Sequence, residues 1–218
     1  MLPKKIHHGC DYNPEQWLHR PDVLLQDIEL MQEAGVNVVS IGIFSWSVLE
    51  PEDKQYEFGW LDEAFARLEA AGIGAFLATA AAAYPRWLVE KYPEVARTNQ
   101  EGVREIVGRR HNFCWTSPIY REKTAALIEQ LARRYTKRKG LYAWHVNNEY
   151  GGTADCGRCY CQRCIANFQK WLQKRYDDDI EALNRGWWTT FWSQRYSSWS
   201  QIVPGSSGIE ALPVNWLR

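Results

Sequence analysis

Apolar positions along the chain follow two rhythms that take turns. Between Pro21 and Ala34, Leu24, Ile28 and Met31 stand at i, i+4 and i+7 and line one side of a helix, which Gly35 closes. Val36 to Phe44 (VNVVSIGIF) then runs apolar and β-branched, as a buried strand does. The helical rhythm returns from Trp60 to Ala71 through Leu61, Phe65 and Leu68 before Gly72, and a strand follows at Ile73 to Thr79. A long irregular stretch, Ala80 to Pro118, precedes a helix over Ile119 to Lys139 that carries Ala125, Ile128, Leu131 and Tyr135. Leu141 to Asn147 is a further strand, and Ile6 to Tyr12 is a short one ahead of all the others. Past them come a Cys-rich loop, a helix from Ile165 to Tyr176 and a Trp-rich stretch from Gly186 to Trp199, with no convincing fifth strand.

Strands that alternate with helices argue for βα units around a parallel sheet. A doubly wound sheet and a (β/α)8 TIM barrel both fit. A complete barrel takes about 250 residues, whereas four strands have used the first 147 of 218 positions. The expectation is an incomplete barrel of about four βα units, a truncated polypeptide whose partner half is absent.

Composition narrows the class. With 45% hydrophobic and 24% charged residues the chain is far from disorder. Lys+Arg and Asp+Glu both number 26, so no net field favours nucleic acid or an anionic membrane, and neither is expected as a partner. Met1 to Gly9 has no apolar signal-peptide core, and the longest run of low polarity, Ala70 to Tyr84, is shorter than a membrane helix. A cytoplasmic protein is expected. Twelve Trp residues hint at sugar stacking, though Trp is more often core.

Two groups of residues carry chemistry. Asn148 and Glu149 directly follow the fourth strand, where a barrel exposes its catalytic face. A carboxyl in a partly apolar mouth can protonate a glycosidic oxygen, and a neighbouring Asn can bond a sugar hydroxyl; a solvated loop Glu is the plain alternative. Cys156, Cys159, Cys161 and Cys164 crowd one loop, a density that suits tetrahedral thiolate coordination of zinc, and Cys114 is a fifth candidate. Four thiolates leave no open position, so such a metal is structural. The histidines show no HExxH-type spacing, and a catalytic metal has no support.

The motifs sharpen this reading. Trp144-His145-Val146-Asn147-Asn148-Glu149-Tyr150-Gly151 resembles the acid/base segment of glycoside hydrolase family 42, the microbial β-galactosidases. Gly9-Cys10-Asp11-Tyr12-Asn13-Pro14-Glu15-Gln16-Trp17 is similar to that family's opening motif. Ile43-Phe44-Ser45-Trp46, Leu49-Glu50-Pro51 and Trp60-Leu61-Asp62 resemble its second βα unit, and Arg109-Arg110-His111 with Cys114 and Ser117-Pro118 also match. Thr79-Ala80-Ala81-Ala82-Ala83-Tyr84-Pro85 departs from the family's more Pro-rich loop, which touches subsite details.

The resemblance implies a TIM-barrel hydrolase of terminal β-D-galactosides that retains anomeric configuration and is a homotrimer at full length. Residues 1–218 would be the N-terminal portion of its catalytic domain, about the first third of such an enzyme, with a zinc loop at about 153–165. Glu149 is implied as proton donor and later base, Asn148 as a ligand of sugar hydroxyls, and Arg110 as another galactose contact. The nucleophile is implied on a later strand, near the seventh; Glu181 and Glu210 come too early to replace it, so the chain alone is expected to be inactive. For zinc, the resemblance selects Cys114, Cys159, Cys161 and Cys164, leaving Cys156 spare and Cys10 as a buried thiol. Phe44, Trp46 and Trp87 are candidate stacking faces or core. The alternative is an inactive barrel fragment or a zinc-binding scaffold.

Overall fold

The computed structural model describes residues 6–106, 110–150 and 158–205. Four strands, β1 (Gly9–Tyr12), β2 (Val38–Ile41), β3 (Gly74–Ala78) and β4 (Leu141–His145), lie side by side in chain order, each parallel to its neighbour. The helices are α1 (Pro21–Glu33), α2 (Trp46–Leu49), α3 (Gly59–Ala70), α4 (Arg86–Lys91), α5 (Pro118–Tyr135), α6 (Gln162–Arg175) and α7 (Ile180–Trp187). A doubly wound sheet reverses its strand order at a switch point and carries helices on both faces. Here the order runs one way, and α1, α3 and α5 all pack on one face. That is the arrangement of about half a (β/α)8 barrel.

Strand alternation explains the packing. Val39 and Ile41 of β2, with Ala75 and Leu77 of β3, face Met31, Leu61, Phe65, Leu68, Leu127, Leu131 and Tyr135 of the three crossover helices, and all are buried in one core cluster. Full burial of each large aliphatic side chain contributes about 1.5–3 kcal/mol. Gly9 shows how tightly β1 joins: a Cβ there would sit 1.6 Å from the Val38 carbonyl oxygen, so only glycine lets the strands pair.

Several expected boundaries shift for local reasons. The segment read as one strand over Val36 to Phe44 ends at Ile41, because Gly42 turns it at φ +80° and sends Ile43 and Phe44 to the mouth of the sheet. The long helix starts at Pro118 behind a Ser117 cap, whose hydroxyl accepts the Tyr120 N–H at 3.3 Å, and it stops at Tyr135. Of the positions expected on its buried face, Leu131 and Tyr135 are buried and Ile128 is half-buried, whereas Ala125 is exposed and Leu127 takes its place. The helix expected from Ile165 starts at Gln162 with Cys161 as its cap. α7 was not expected; Asp179 caps it by accepting the Glu181 and Ala182 N–H groups at 2.8 and 2.9 Å.

One sequence expectation is corrected here, and one alternative left open is decided. Cys10 is exposed, not a buried thiol, because β1 is the first strand of the described sheet and has a neighbour on one side only. Trp46 is fully buried core and offers no stacking face; its Nε1 donates to Glu50 Oε2 at 2.8 Å, and Trp87 Nε1 donates to the Glu50 carbonyl at 2.8 Å. Arg109, Cys156, Glu210 and residues 153–157 of the expected zinc loop lie outside the described residues.

Asp62 clamps α3 to α5, accepting from Arg134 Nε at 2.9 Å and from the Tyr135 hydroxyl at 2.9 Å. The Arg134 guanidinium holds the Asp62 carboxyl below the usual carboxylate range. A folded-state value below the unfolded one, about 3.9, gives stability that is present above that pH and is lost as pH falls through the folded value. Asp62→Asn is therefore expected to flatten the acid limb of a stability profile measured below about pH 4. An unchanged acid limb would show that the clamp adds nothing.

Candidate functional site

β3 and β4 stay paired beyond their last strand residues, and this fixes where the segment after β4 emerges. The Thr79 N–H donates to the His145 carbonyl at 3.1 Å, and the Thr79 hydroxyl donates to the Val146 carbonyl at 2.6 Å. The chain then turns sharply: the Asn148 N–H donates to Asn147 Oδ1 at 2.7 Å, and Glu149 takes a left-handed backbone at φ +48°. Non-glycine residues in that region cost free energy and cluster at functional sites. The turn carries the Glu149 carboxylate to Arg110, whose Nη2 it meets in an ion pair. The Arg110 guanidinium lies 5.4 Å over the Phe44 ring. Segments following β2, β3 and β4 thus meet at the strands' C-terminal ends. Of the sequence candidates there, Arg110 and Glu149 are in direct contact, and Asn148 is half-buried beside them.

His111 adds to this region and was not picked out from the sequence. Its backbone is left-handed, φ +59°, its N–H donates to the Ala82 carbonyl at 3.1 Å, and its ring is 8% exposed. Among the described residues neither ring nitrogen meets a side-chain partner, and the Asn148 backbone is the polar group that faces the ring. Burial, with the Arg110 charge adding to it, pushes the imidazole below its ordinary pKa. Its place directly after Arg110 was the available signal, but nothing in the sequence showed that the ring is buried.

The second site joins two loops distant in sequence. Sγ atoms of Cys114, Cys159, Cys161 and Cys164 all lie within 4.8 Å of one another. Cys114 Sγ is 3.8 Å from Cys161 Sγ and 3.5 Å from Cys164 Sγ. Zinc–sulfur bonds of about 2.3 Å put tetrahedral ligands about 3.8 Å apart, so the donor set fits a closed Zn(Cys)4 shell. Hydrogen bonds from Cys159 and Cys164 hold the Cys114 thiol below its usual range, while contact with the Cys114 sulfur raises Cys159 and Cys164. Cysteine binds metal as the thiolate, so a cation held among these sulfurs would favour their deprotonated forms.

Two helix ends serve the same sulfurs. Cys161 is the cap residue of α6 and Cys164 lies in its first turn, while Cys114 stands just before the Ser117 cap of α5. Helix N-termini favour negative charge. The loop also docks through its backbone, with the Tyr160 N–H donating to the Thr98 carbonyl at 2.8 Å. Next to this cysteine cluster, the exposed Trp115 ring stacks on Tyr150 with centroids 5.5 Å apart, so the Cys114 segment touches the residue that follows Glu149.

Comparisons with known proteins concern nearly the whole chain. The family model of glycoside hydrolase 42, described as β-galactosidase, matches residues 11–214. β-Galactosidase BglY of Alicyclobacillus acidocaldarius is 51% identical over 97% of this chain and 30% of its own length. β-Galactosidase GalA of Bacillus licheniformis is 48% identical over 97% of this chain and 31% of its length. Among solved structures, the GH42 β-galactosidase Gan42B superposes with a TM-score of 0.88 at 47% identity, covering 97% of this chain and 31% of that one. The catalytic domain of a β-amylase from Paenibacillus polymyxa, at 14% identity and a TM-score of 0.62, covers 97% of this chain and 58% of its own and shares the fold alone. The chain spans about a third of the length of the curated relatives it matches.

Proposed function

The chain belongs to the glycoside hydrolase 42 family of β-galactosidases, and from that premise we propose that it serves a retaining hydrolase of terminal β-D-galactosides. In this reading, residues 1–218 are the N-terminal portion of the catalytic barrel, and the zinc loop lies at about 153–165. The observation that carries the proposal is the placement of Glu149 at the C-terminal end of β4, on a left-handed turn and in contact with Arg110.

The chemistry follows from that placement. Glu149 in its acid form gives a proton to the glycosidic oxygen as the bond to the anomeric carbon breaks. A carboxylate about 5–5.5 Å away attacks that carbon from the opposite face and holds the sugar as an ester. Glu149, now a carboxylate, takes a proton from water, which attacks the ester and releases galactose with its original configuration. The nucleophile belongs to a strand beyond these four. Arg110 and Asn148 bond the hydroxyls of the sugar, with Arg110 exchanging its contact with Glu149 for one with substrate.

Cys114, Cys159, Cys161 and Cys164 would hold a structural zinc. Bound there, the metal supplies cross-linking and charge neutralisation and leaves no coordination place for substrate. The four sulfurs join the segment that carries Arg110 to the one that follows Glu149, so the metal braces the donor. Homotrimeric assembly and a cytoplasmic location complete the proposal; no described helix is long and apolar enough to cross a membrane. The cysteine cluster also favours a second reading, a zinc-binding scaffold without activity.

Proton NMR of products from a polypeptide extended through the remaining βα units separates the two. β-Galactose appearing first, with the α-anomer following by mutarotation, is the expected result. α-Galactose first would overturn retention, and no release from any β-galactoside would favour the scaffold.

A further inference from the structure

We propose that Thr116 is a positioning residue of the metal site, its hydroxyl a hydrogen-bond donor shared by the Cys114 and Cys164 thiolates. The inference rests on the structural-zinc reading and adds to it a group that is not a ligand. Thr116 Oγ1 lies 3.2 Å from Cys114 Sγ and 3.1 Å from Cys164 Sγ. Those two sulfurs are 3.5 Å apart, so the hydroxyl straddles them from one side. The local backbone puts it there. The Ser117 N–H donates to the Cys114 carbonyl at 3.0 Å, closing a tight turn that folds Thr116 back over the preceding cysteine just before α5 begins.

A threonine hydroxyl has one hydrogen to give and two lone pairs to receive. Between neutral thiols it can do either. Between two metal-bound thiolates it can only donate, because neither sulfur retains a hydrogen. The Thr98 backbone N–H plays the same part for Cys159 Sγ at 3.4 Å. Four thiolates and one zinc(II) ion carry a formal charge of about −2, and donors aimed at the sulfurs spread that charge. A sulfur whose lone pair is engaged is a weaker base, slower to take the proton that lets it leave the metal. Loss of such an outer partner commonly costs about 10–100-fold in metal affinity. Thr98 contributes a backbone N–H that no substitution removes cleanly, which makes the Thr116 hydroxyl the group to test.

Thr116→Val keeps the shape of the side chain and deletes the donor; Thr116→Ser keeps the donor. Zinc(II) competition against a chromophoric chelator should show the valine variant still binding about one zinc per chain at saturation, with an affinity about 10–100-fold lower. The serine variant should stay close to the parent. Cobalt(II) in place of zinc supplies a readout that a packing role would not move. A hydrogen bond lowers the energy of the sulfur electrons, so the sulfur-to-cobalt charge-transfer band should move to longer wavelength in Thr116→Val and return in Thr116→Ser. If the valine variant fails to fold, Thr116→Ala takes its place in both measurements. Equal affinity and an unmoved band in a parent that does bind zinc would overturn the role of Thr116 alone. A parent with no zinc when prepared under reducing conditions with the ion present would overturn this inference and the metal reading together.

Discussion

Glu149→Gln, in a polypeptide extended through the remaining βα units, is expected to lower hydrolysis of a galactoside with a sugar leaving group by about 10²–10⁴-fold, the usual worth of general acid catalysis. The substitution keeps the volume and the hydrogen-bonding reach of the side chain while removing the transferable proton. Glu149 is exposed and its ion pair with Arg110 is half-exposed, so losing the charge costs the fold little. The loss should depend on the leaving group. A sugar alkoxide departs poorly without a proton, whereas a dinitrophenolate is stable enough to leave unaided. With the dinitrophenyl substrate, bond cleavage should therefore survive and only the second step, in which Glu149 activates water, should slow. A pre-steady-state burst of dinitrophenol, absent from the parent, is the signature. An equal loss on both substrates with no burst would mean that Glu149 positions the sugar and does not transfer protons.

Cys114→Ser is expected to release the metal altogether. One ligand in four is lost, and it is the fully buried one that joins the β3 side of the molecule to the loop after β4. Metal content by elemental analysis should fall from about one zinc per chain to near none, since closed four-ligand sites depend on every thiolate. At free zinc about 1,000 times the dissociation constant, binding contributes about 4 kcal/mol of stability, so the thermal midpoint should fall only when zinc is present in the comparison. Cys10→Ser is the control, because Cys10 lies exposed on β1 and away from the other sulfurs. Zinc retained by Cys114→Ser would mean that another residue, Cys156 first among them, completes the shell.

The sequence made the β2–α3–β3 region readable because both of its rhythms are strong there: a β-branched run that pairs in register, and a helix whose Leu61, Phe65 and Leu68 are all buried. It misjudged features set by partners far along the chain. Tyr142 is an extra residue in β4, since Ala75 pairs with Leu141 but Phe76 with Ala143, and no local pattern announces such a bulge. The shift in the N-terminal part of α5's buried face has a similar origin. Lys123 lies on it, 93% buried, because Asp53 accepts its ammonium at 2.7 Å from a loop 70 residues earlier. A hydrophobic count treats that lysine as a surface residue. Trp46 was open between a sugar-stacking face and core, and the buried Glu50 carboxylate that accepts its N–H makes it core.

The candidate site was legible by a different route. Contact between Arg110 and Glu149 spans 39 residues and obeys no periodicity; motif resemblance is what put the two together. The cysteines were legible from chemistry, because four thiols in one loop need a reason. Which of five belong together rests on the family pattern: Cys114, Cys159, Cys161 and Cys164 converge among the described residues, and Cys156 lies outside them. α7 was missed although its signal was present, in the Asp179 cap followed by Ile180, Leu183 and Trp187 along one face.

Cys114 and Cys164 are 3.5 Å apart in space and 50 residues apart along the chain. A ribosome that adds about 5–20 residues per second therefore makes the first about 2–10 s before the last. For roughly the first half of that interval α5 is made while β4 and the other cluster cysteines are not, and Cys114 waits without its partner thiols. Its fate in those seconds is a contest between small-molecule thiols, oxidants and the arrival of its own partners. Expression in zinc-poor or oxidising cells should divide the newly made protein into metal-bound and miscapped populations in proportions set during translation, and zinc added after purification should rescue only the chains whose Cys114 is still reduced.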